Sequence, residues 1–356
     1  MDFAFNEIQT DIQALADTLF KDLSSPDLLA KVESQPQRVD LSLWAALQEA
    51  GLDVVALSED LGGAGLSFLE ACLVIEKLGR YTAPVPLIVH TLATLSLAES
   101  DQAAQLERLQ TTGAWVTATT GRAQNTLRLE NGLVSGTVSN VPYVQGAQGL
   151  VVPVLAPIPA LVLIDPRDTG IEWQNQTSTA LEPQGYGILT HVPAIVIGSE
   201  EAVKVLHLRE LAANAMAQLG VVEAAMALAR GHVCEREQFG VKIGSFQAVS
   251  HRLADCWIDA MNLRTMALTA ASRLTRTVDT DTALDVYVAH SWACEAGHRV
   301  LASCQHVCGG LGHDKDYPMW RFAVWSRHYE IMMGGNEFAL EQLGKAITSS
   351  PTSAML

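Results

Sequence analysis

The sequence predicts a multidomain α+β protein: a helical N-terminal domain over residues 1–112, a small β-sandwich or barrel-like middle domain over 113–200, and a C-terminal four-helix bundle over 201–356. Three observations lead there. Apolar residues recur every three or four positions toward both ends of the chain, the period of a helix with one buried face. Between these stretches the pattern changes to short runs rich in β-branched residues, punctuated by Gly, Pro, Asn and Asp. A chain of 356 residues of which 49% are hydrophobic also exceeds what one core usually supports, so several packed layers are expected.

In chain order, the segments IQALADTLF, LWAALQEAGL and FLEACLVIEKLG carry the first helical period. Residues 57–67, LSEDLGGAGLS, lie among them, with glycines suited to a tight loop and Ser67 placed to cap the next helix. No strand precedes this loop and no Lys-Ser/Thr follows it, so it reads as a structural turn and not as a phosphate loop. The runs AWVTAT, TLRLENGLVSGTV, GLVVPVLA, ALVLID and ILTHVPAIVIG form the β-rich middle. From Glu201 onward the helical period returns. Leu208, Leu211, Ala215, Leu219, Val222, Met226, Ala229 and Val233 step along one face of a long helix suited to packing in a bundle.

Composition limits the function classes. A formal net charge of −16 argues against binding nucleic acid through its phosphates, which requires a basic surface. The most apolar run, residues 149–164, is broken by Pro153, Pro157 and Pro159, so no membrane-spanning helix is expected there. The N-terminus carries acids and amides where a secretory leader needs a basic start, which points to the cytoplasm. Six scattered cysteines have no framework spacing and read as reduced thiols. Cys304-Gln-His-Val-Cys308 offers only three metal ligands with no evident fourth, so no metal site is expected. With charged residues at only 17%, some apolar surface is expected to be covered by partner subunits.

Two segments bear chemistry. In Arg236-Glu-Gln-Phe-Gly240 followed by Ile243-Gly-Ser-Phe-Gln247, an arginine near the end of the long helix could fork onto a pyrophosphate. Phe239 would add an apolar wall and Gln247 an amide. By spacing alone the same residues also read as a solvated helix end with Phe239 in the core. In Gly309-Gly-Leu-Gly312, Gly309 and Gly310 permit close approach of a phosphate or of another helix.

These segments, with Leu43-Trp-Ala-Ala-Leu-Gln-Glu-Ala-Gly51, Leu61-Gly-Gly-Ala-Gly65, Glu76-Lys-Leu-Gly79, Ala83-Pro-Val-Pro86 and Tyr317-Pro318, resemble the acyl-CoA dehydrogenase family in order and across most of the chain. The resemblance implies that family's fold, FAD as cofactor, and oxidation of an acyl-CoA thioester to its enoyl-CoA. It makes Arg236, Gln238, Phe239, Gln247, His306, Gly309 and Gly310 flavin-nucleotide contacts, with His306 standing where the family usually has glutamine. The usual catalytic glutamate falls on Met333, a thioether that cannot accept a proton; neighbouring Glu330 and Glu337 point from other turns. Some members place the base at the start of the long helix, here Glu210, although the arginine that usually follows is Leu211. Glu210 also reads as a solvated glutamate in the first turn of a helix, favoured there by the helix dipole.

The flavin-lining segments of the middle domain are replaced by Ala118-Thr-Thr-Gly-Arg-Ala-Gln124 and Val138-Ser-Asn-Val-Pro-Tyr143, where Ser139 and Tyr143 are the remaining candidates for contact. In the family each flavin reaches across to a neighbouring subunit. The resemblance therefore implies a hetero-oligomer in which a fuller paralogue holds flavin and acyl-CoA and this chain clamps the nucleotide, with electron-transfer flavoprotein as acceptor. Such an arrangement resembles paired α2β2 dehydrogenases acting on bulky ring-bearing acyl-CoAs, steroid side chains included, a substrate suggested by analogy alone. Two other readings stand beside it: a complete homo-oligomeric dehydrogenase using Glu210, and a structural or acyl-CoA-binding homologue without redox chemistry.

Overall fold

In the computed structural model, residues 4–109, 113–120, 125–275, 278–332 and 334–349 are described. By compactness the chain forms two units. The first comprises residues 1–71 and 84–210, the second residues 72–83 and 211–356.

The first unit opens with helices α1 (Glu7–Leu23), α2 (Pro26–Glu33) and α3 (Leu41–Glu49). Each starts on a polar cap: the side chains of Asn6, Ser25 and Asp40 accept the backbone N–H of Gln9, Leu28 and Leu43. Helix α4 (Phe68–Tyr81) begins at Ser67 as expected, whose hydroxyl accepts the Leu69 N–H at 3.2 Å while Glu70 reaches back to the Ser67 N–H at 2.8 Å. The preceding glycine loop folds on itself. A Cβ on Gly63 would stand 2.2 Å from the Leu57 carbonyl oxygen, so the glycine serves loop closure. Helices α5 (Leu87–Ala98) and α6 (Gln105–Leu109) follow, and α5 packs against the sheet.

The strands are β1 (Val116–Ala118), β2 (Arg128–Glu130), β3 (Leu133–Pro142), β4 (Gly149–Val154), β5 (Ala160–Ile164), β6 (Ile171–Thr177) and β7 (Pro183–Ser199). They run β1-β4-β5-β7-β3-β2, with β6 pairing β7 and β1 parallel to β4. The 17-residue β7 joins two halves: its end pairs with β5, its beginning with β3 and β6. Val134, Val138 and Val141 of β3 meet Leu150, Val152 and Val154 of β4 and Leu189 and Val192 of β7 in one apolar cluster. Each such side chain, fully buried, contributes roughly 1.5–3 kcal/mol. The turn at Asn131-Gly132, both at positive φ, closes the β2–β3 hairpin. Strand β6 had no clear signal in the sequence, because only Ile171, Trp173 and Gln176 are partly buried, without regular alternation, and the rest are polar and exposed.

Helix α7 (Glu200–Glu235) is 36 residues long and runs from the first unit into the second. Here the structure corrects the one-face stripe: from Leu211 through Val222 every residue is buried, so this stretch is enclosed on all sides. The helix is long and apolar enough to cross a membrane by length and composition, but 72% of its most apolar window is buried in the protein. Where it meets α4, backbone touches backbone. A Cβ on Gly79 would lie 1.9 Å from the Ala217 oxygen, and one on Gly220 would lie 2.0 Å from the Glu76 oxygen.

The second unit continues with a small hairpin, β8 (Glu237–Gln238) and β9 (Val241–Lys242), then α8 (Gln247–Arg273), α9 (Thr280–Cys308), α10 (Met319–Met332) and α11 (Gly335–Ser349). Helix α9 packs against α8, α10 and α11. Gln218 of α7 donates to Ser326 Oγ at 2.8 Å across α9, over the gap left by Gly297. All six cysteines are free thiols.

Candidate functional site

The four residues of the arginine-to-glutamine segment come together on one exposed hairpin between α7 and α8. Arg236 follows the last residue of α7, and its carbonyl accepts the Ile243 N–H at 2.9 Å, closing the hairpin base. Its guanidinium is exposed and has no ion-pair partner among the described residues. Lys242 braces the hairpin, pairing with Glu237 at 2.7 Å and donating to the Glu235 carbonyl at 2.9 Å. Gln238 lies on β8, and Gln247 opens α8; both are exposed.

The hairpin turns on Phe239 and Gly240, at φ 54° and 80°. A bulky residue in the left-handed region is strained. Phe239 is nevertheless held there with its ring 93% exposed, resting edge-on against Phe246 at a centroid distance of 6.3 Å. The reading of Phe239 as core is therefore corrected: the residue stands exposed at the turn, beside Phe246.

The glycine segment lies in a short 3-10 turn after α9. Gly309 adopts φ 62° and ψ −140°, and a Cβ on either Gly309 or Gly310 would meet nothing within 4 Å among the described residues. Their openness serves no packing among those residues. Gly312 differs, since its Cβ would stand 2.7 Å from the Gln305 oxygen. His306 is exposed while Cys304 and Cys308 are buried, so the Cys-His-Cys group does not converge on one point. An exposed guanidinium, exposed amides, an outward aromatic ring and open glycines fit the nucleotide half of FAD.

Glu210 lies about three turns into α7, which begins at Glu200, so its expected place in the first turn is corrected; it is half-buried and accepts a hydrogen bond from Thr120 at 2.5 Å. This partner, 90 positions away, was not visible in the sequence. Leu211, in the place of the family's arginine, is 2% exposed. Met333 lies outside the described residues. Glu330 is engaged by Arg327 at 2.5 Å and by His298 at 3.7 Å, and Glu337 faces solvent. In the β region, Ser139 and Tyr143 are buried at 4% and 3% exposure, so neither presents a surface to a ring; residues 121–124 lie outside the described residues.

The family profile for the acyl-CoA dehydrogenase N-terminal domain matches residues 6–109, and that for the C-terminal domain matches residues 206–348. The acyl-CoA dehydrogenase FadE27 of Mycobacterium tuberculosis is 30% identical, over 99% of this chain and 100% of that protein. A variant of the Tcur3481-Tcur3483 steroid ACAD superposes with a TM-score of 0.91 at 34% identity, covering 97% of this chain and 99% of that one. The ChsE4-ChsE5 complex from Mycobacterium tuberculosis superposes with a TM-score of 0.91 at 28% identity, over 99% of this chain and 100% of that one. The chain belongs to the acyl-CoA dehydrogenase family.

Proposed function

We propose that the chain is one subunit of a flavin-dependent acyl-CoA dehydrogenase that oxidises an acyl-CoA to its α,β-enoyl-CoA, and that it completes the nucleotide site of an FAD carried by a paralogous partner. The observation that carries this reading is Phe239: a strained backbone and a ring 93% exposed make sense when another chain's ligand covers them. FAD, when bound, supplies the acceptor for the two electrons and the hydrogen from the β-carbon.

This chain's residues bind and orient. Arg236 offers a planar fork of donors to a pyrophosphate, and Gln238 and Gln247 offer amides. Phe239 supplies an aromatic face, while Gly309 and Gly310, with His306 nearby, leave room for a phosphate or an adenine edge. The α-proton is taken by a carboxylate of the partner, since the usual position here is Met333. Two structural relatives, a steroid ACAD and the ChsE4-ChsE5 complex, are named as paired chains, which supports a heteromer and a bulky, ring-bearing acyl group. Electron-transfer flavoprotein is the expected acceptor and the cytoplasm the expected compartment.

The test is the visible absorption spectrum of the chain purified alone and with its co-expressed paralogue. Oxidised flavin in the mixed complex, absent from the isolated chain and lost again with Arg236→Ala, is the expected result. Bound flavin in the isolated chain would instead favour a second reading, a self-sufficient enzyme, for which the Thr120 hydrogen bond that orients the Glu210 carboxylate is the supporting observation. A mixed complex without flavin would favour a structural homologue.

A further inference from the structure

Two thiols of the second unit meet at a point that the nucleotide hairpin does not use. Cys256 of α8 and Cys304 of α9 are hydrogen-bonded to each other and are 2% and 0% exposed. The ion pair of Asp259 with Arg299 at 2.9 Å lies three residues after Cys256 and five before Cys304, so α8 and α9 run antiparallel in the register that brings the two sulfurs together. Cys308, one turn beyond Cys304, accepts instead from the Tyr317 hydroxyl. Cys256 also forms part of the wall of an open cleft of about 590 Å³, beside Asp259, His298, Arg299 and Ser303. A small polar molecule that enters this cleft therefore meets Cys256 first, while Cys304 is fully buried.

We propose that Cys256 and Cys304 form a reversible oxidation site, at which a hydroperoxide entering the cleft converts the two thiols into a disulfide joining α8 to α9. The two sulfurs are unequal in the way this chemistry needs. The bond from Cys304 is the main influence holding the Cys256 thiol below its usual range, against burial; Ser303 adds to it, and Asp259 and Asp255 oppose it. The same bond, with burial, pushes Cys304 up, so Cys256 is the nucleophile and Cys304 the resolving thiol. The Cys256 thiolate attacks an oxygen of the peroxide: an S–O bond forms, the O–O bond breaks, and the departing oxygen takes up the proton that Cys256 released. Cys304 then attacks the oxidised sulfur; the S–O bond breaks, and hydroxide leaves as water with the Cys304 proton. Two thiols lose two electrons, the peroxide gains them, and from hydrogen peroxide two waters result. Buried cysteines otherwise behave as small inert hydrophobes. Cys294 shows that case: burial foremost, with Glu330 and Glu295 nearby, pushes its thiol up to about 12.

The experiment treats the full folded chain with hydrogen peroxide, in a Cys234→Ser background that removes the exposed thiol. Free thiols are counted, and peptides are mapped by mass spectrometry without reduction. The expected result is the loss of two thiols, a peptide pair joined through Cys256 and Cys304, Cys294 still reduced, and full recovery with dithiothreitol. In Cys304→Ser the reaction should stop at a sulfenic acid on Cys256, which dimedone captures; if that variant does not fold, the peptide map of the Cys304-containing chain decides alone. Cys256 and Cys304 both left reduced while the chain is folded would overturn the proposal, and so would a link that forms only in denaturant. A sulfenic acid that persists on Cys256 with Cys304 present would overturn it too, because the helices would then hold the sulfurs too far apart to join.

Discussion

His90 illustrates how a single buried side chain couples this fold to pH. It is 1% exposed, its Nδ1 accepts the Val116 N–H at 3.1 Å, and its Nε2 stands 3.6 Å from Asp53 Oδ2. Burial lowers its pKa from 6.5 to about 4, and the Val116 donor acts the same way, since a doubly protonated ring would set N–H against N–H. Burial raises the Asp53 carboxyl from 3.8 to about 6, against backbone and Gln48 hydrogen bonds that lower it. The signs oppose. The His90 contribution to stability is present above pH 6.5 and is lost as pH falls toward 4, because the unfolded chain takes up a proton that the fold refuses. The Asp53 contribution is present below pH 3.8 and is lost as pH rises through 6. Asp53→Asn leaves His90 alone, so its melting temperature should drop more steeply than the parent's between pH 6.5 and 4. Parallel curves would show that the two groups do not offset each other. Phe239 makes the opposite kind of prediction. Its side chain contributes little packing and its backbone costs about 1–2 kcal/mol in the left-handed region. Phe239→Gly should therefore raise the melting temperature of the isolated chain while weakening flavin retention in the mixed complex. A fall in the melting temperature would show that the ring supports this chain after all.

Among the elements, the crossing of α4 and α7 is the most constrained contact. Gly79 and Gly220 let the two backbones touch, and a methyl group at either would have to displace a carbonyl by more than an ångström. Gly220→Ala is expected to cost about 1–3 kcal/mol or more despite the better helix propensity of alanine, read as a lowered denaturation midpoint. A neutral or stabilising result would mean that the helices separate freely. This contact also shows what the sequence could and could not disclose. Period and caps made the helices legible, Ser67 included, because they depend on neighbours within four residues. The crossing depends on residues 141 positions apart, and a glycine in a helical pattern reads locally only as a weakness. The one-face stripe on α7 failed similarly: periodicity reports where apolar residues sit, not how many neighbours surround them. Strand β6 was missed because one side faces solvent, whereas β4, buried at every position, was evident as an apolar run. At the site, residues 236–247 were legible because they form one contiguous hairpin, while the partner of Glu210 was not.

For the whole molecule, the question is which chain supplies the base. By the family resemblance Met333 falls where a carboxylate is usual, which leaves Glu210, hydrogen-bonded by Thr120 at 2.5 Å, as the candidate to test. A positioned general base typically contributes 10²–10⁴ in rate, so its removal should be unmistakable. If a partner subunit supplies the base, Glu210→Gln in the purified mixed complex should change kcat by less than about tenfold, since glutamine preserves the shape and still accepts from Thr120. Flavin content would stay the same. If this chain supplies the base, the same substitution should lower kcat at least a hundredfold with KM little altered, because proton removal belongs to the transition state and not to binding. The flavin spectrum separates either outcome from simple loss of assembly. Thr120→Val completes the comparison: it leaves the carboxylate in place but removes its orienting donor. A rate loss with Thr120→Val that vanishes in the Glu210→Gln background would mark Thr120 as acting through Glu210, placing the chemistry in this chain and overturning the shared-site assignment of the base.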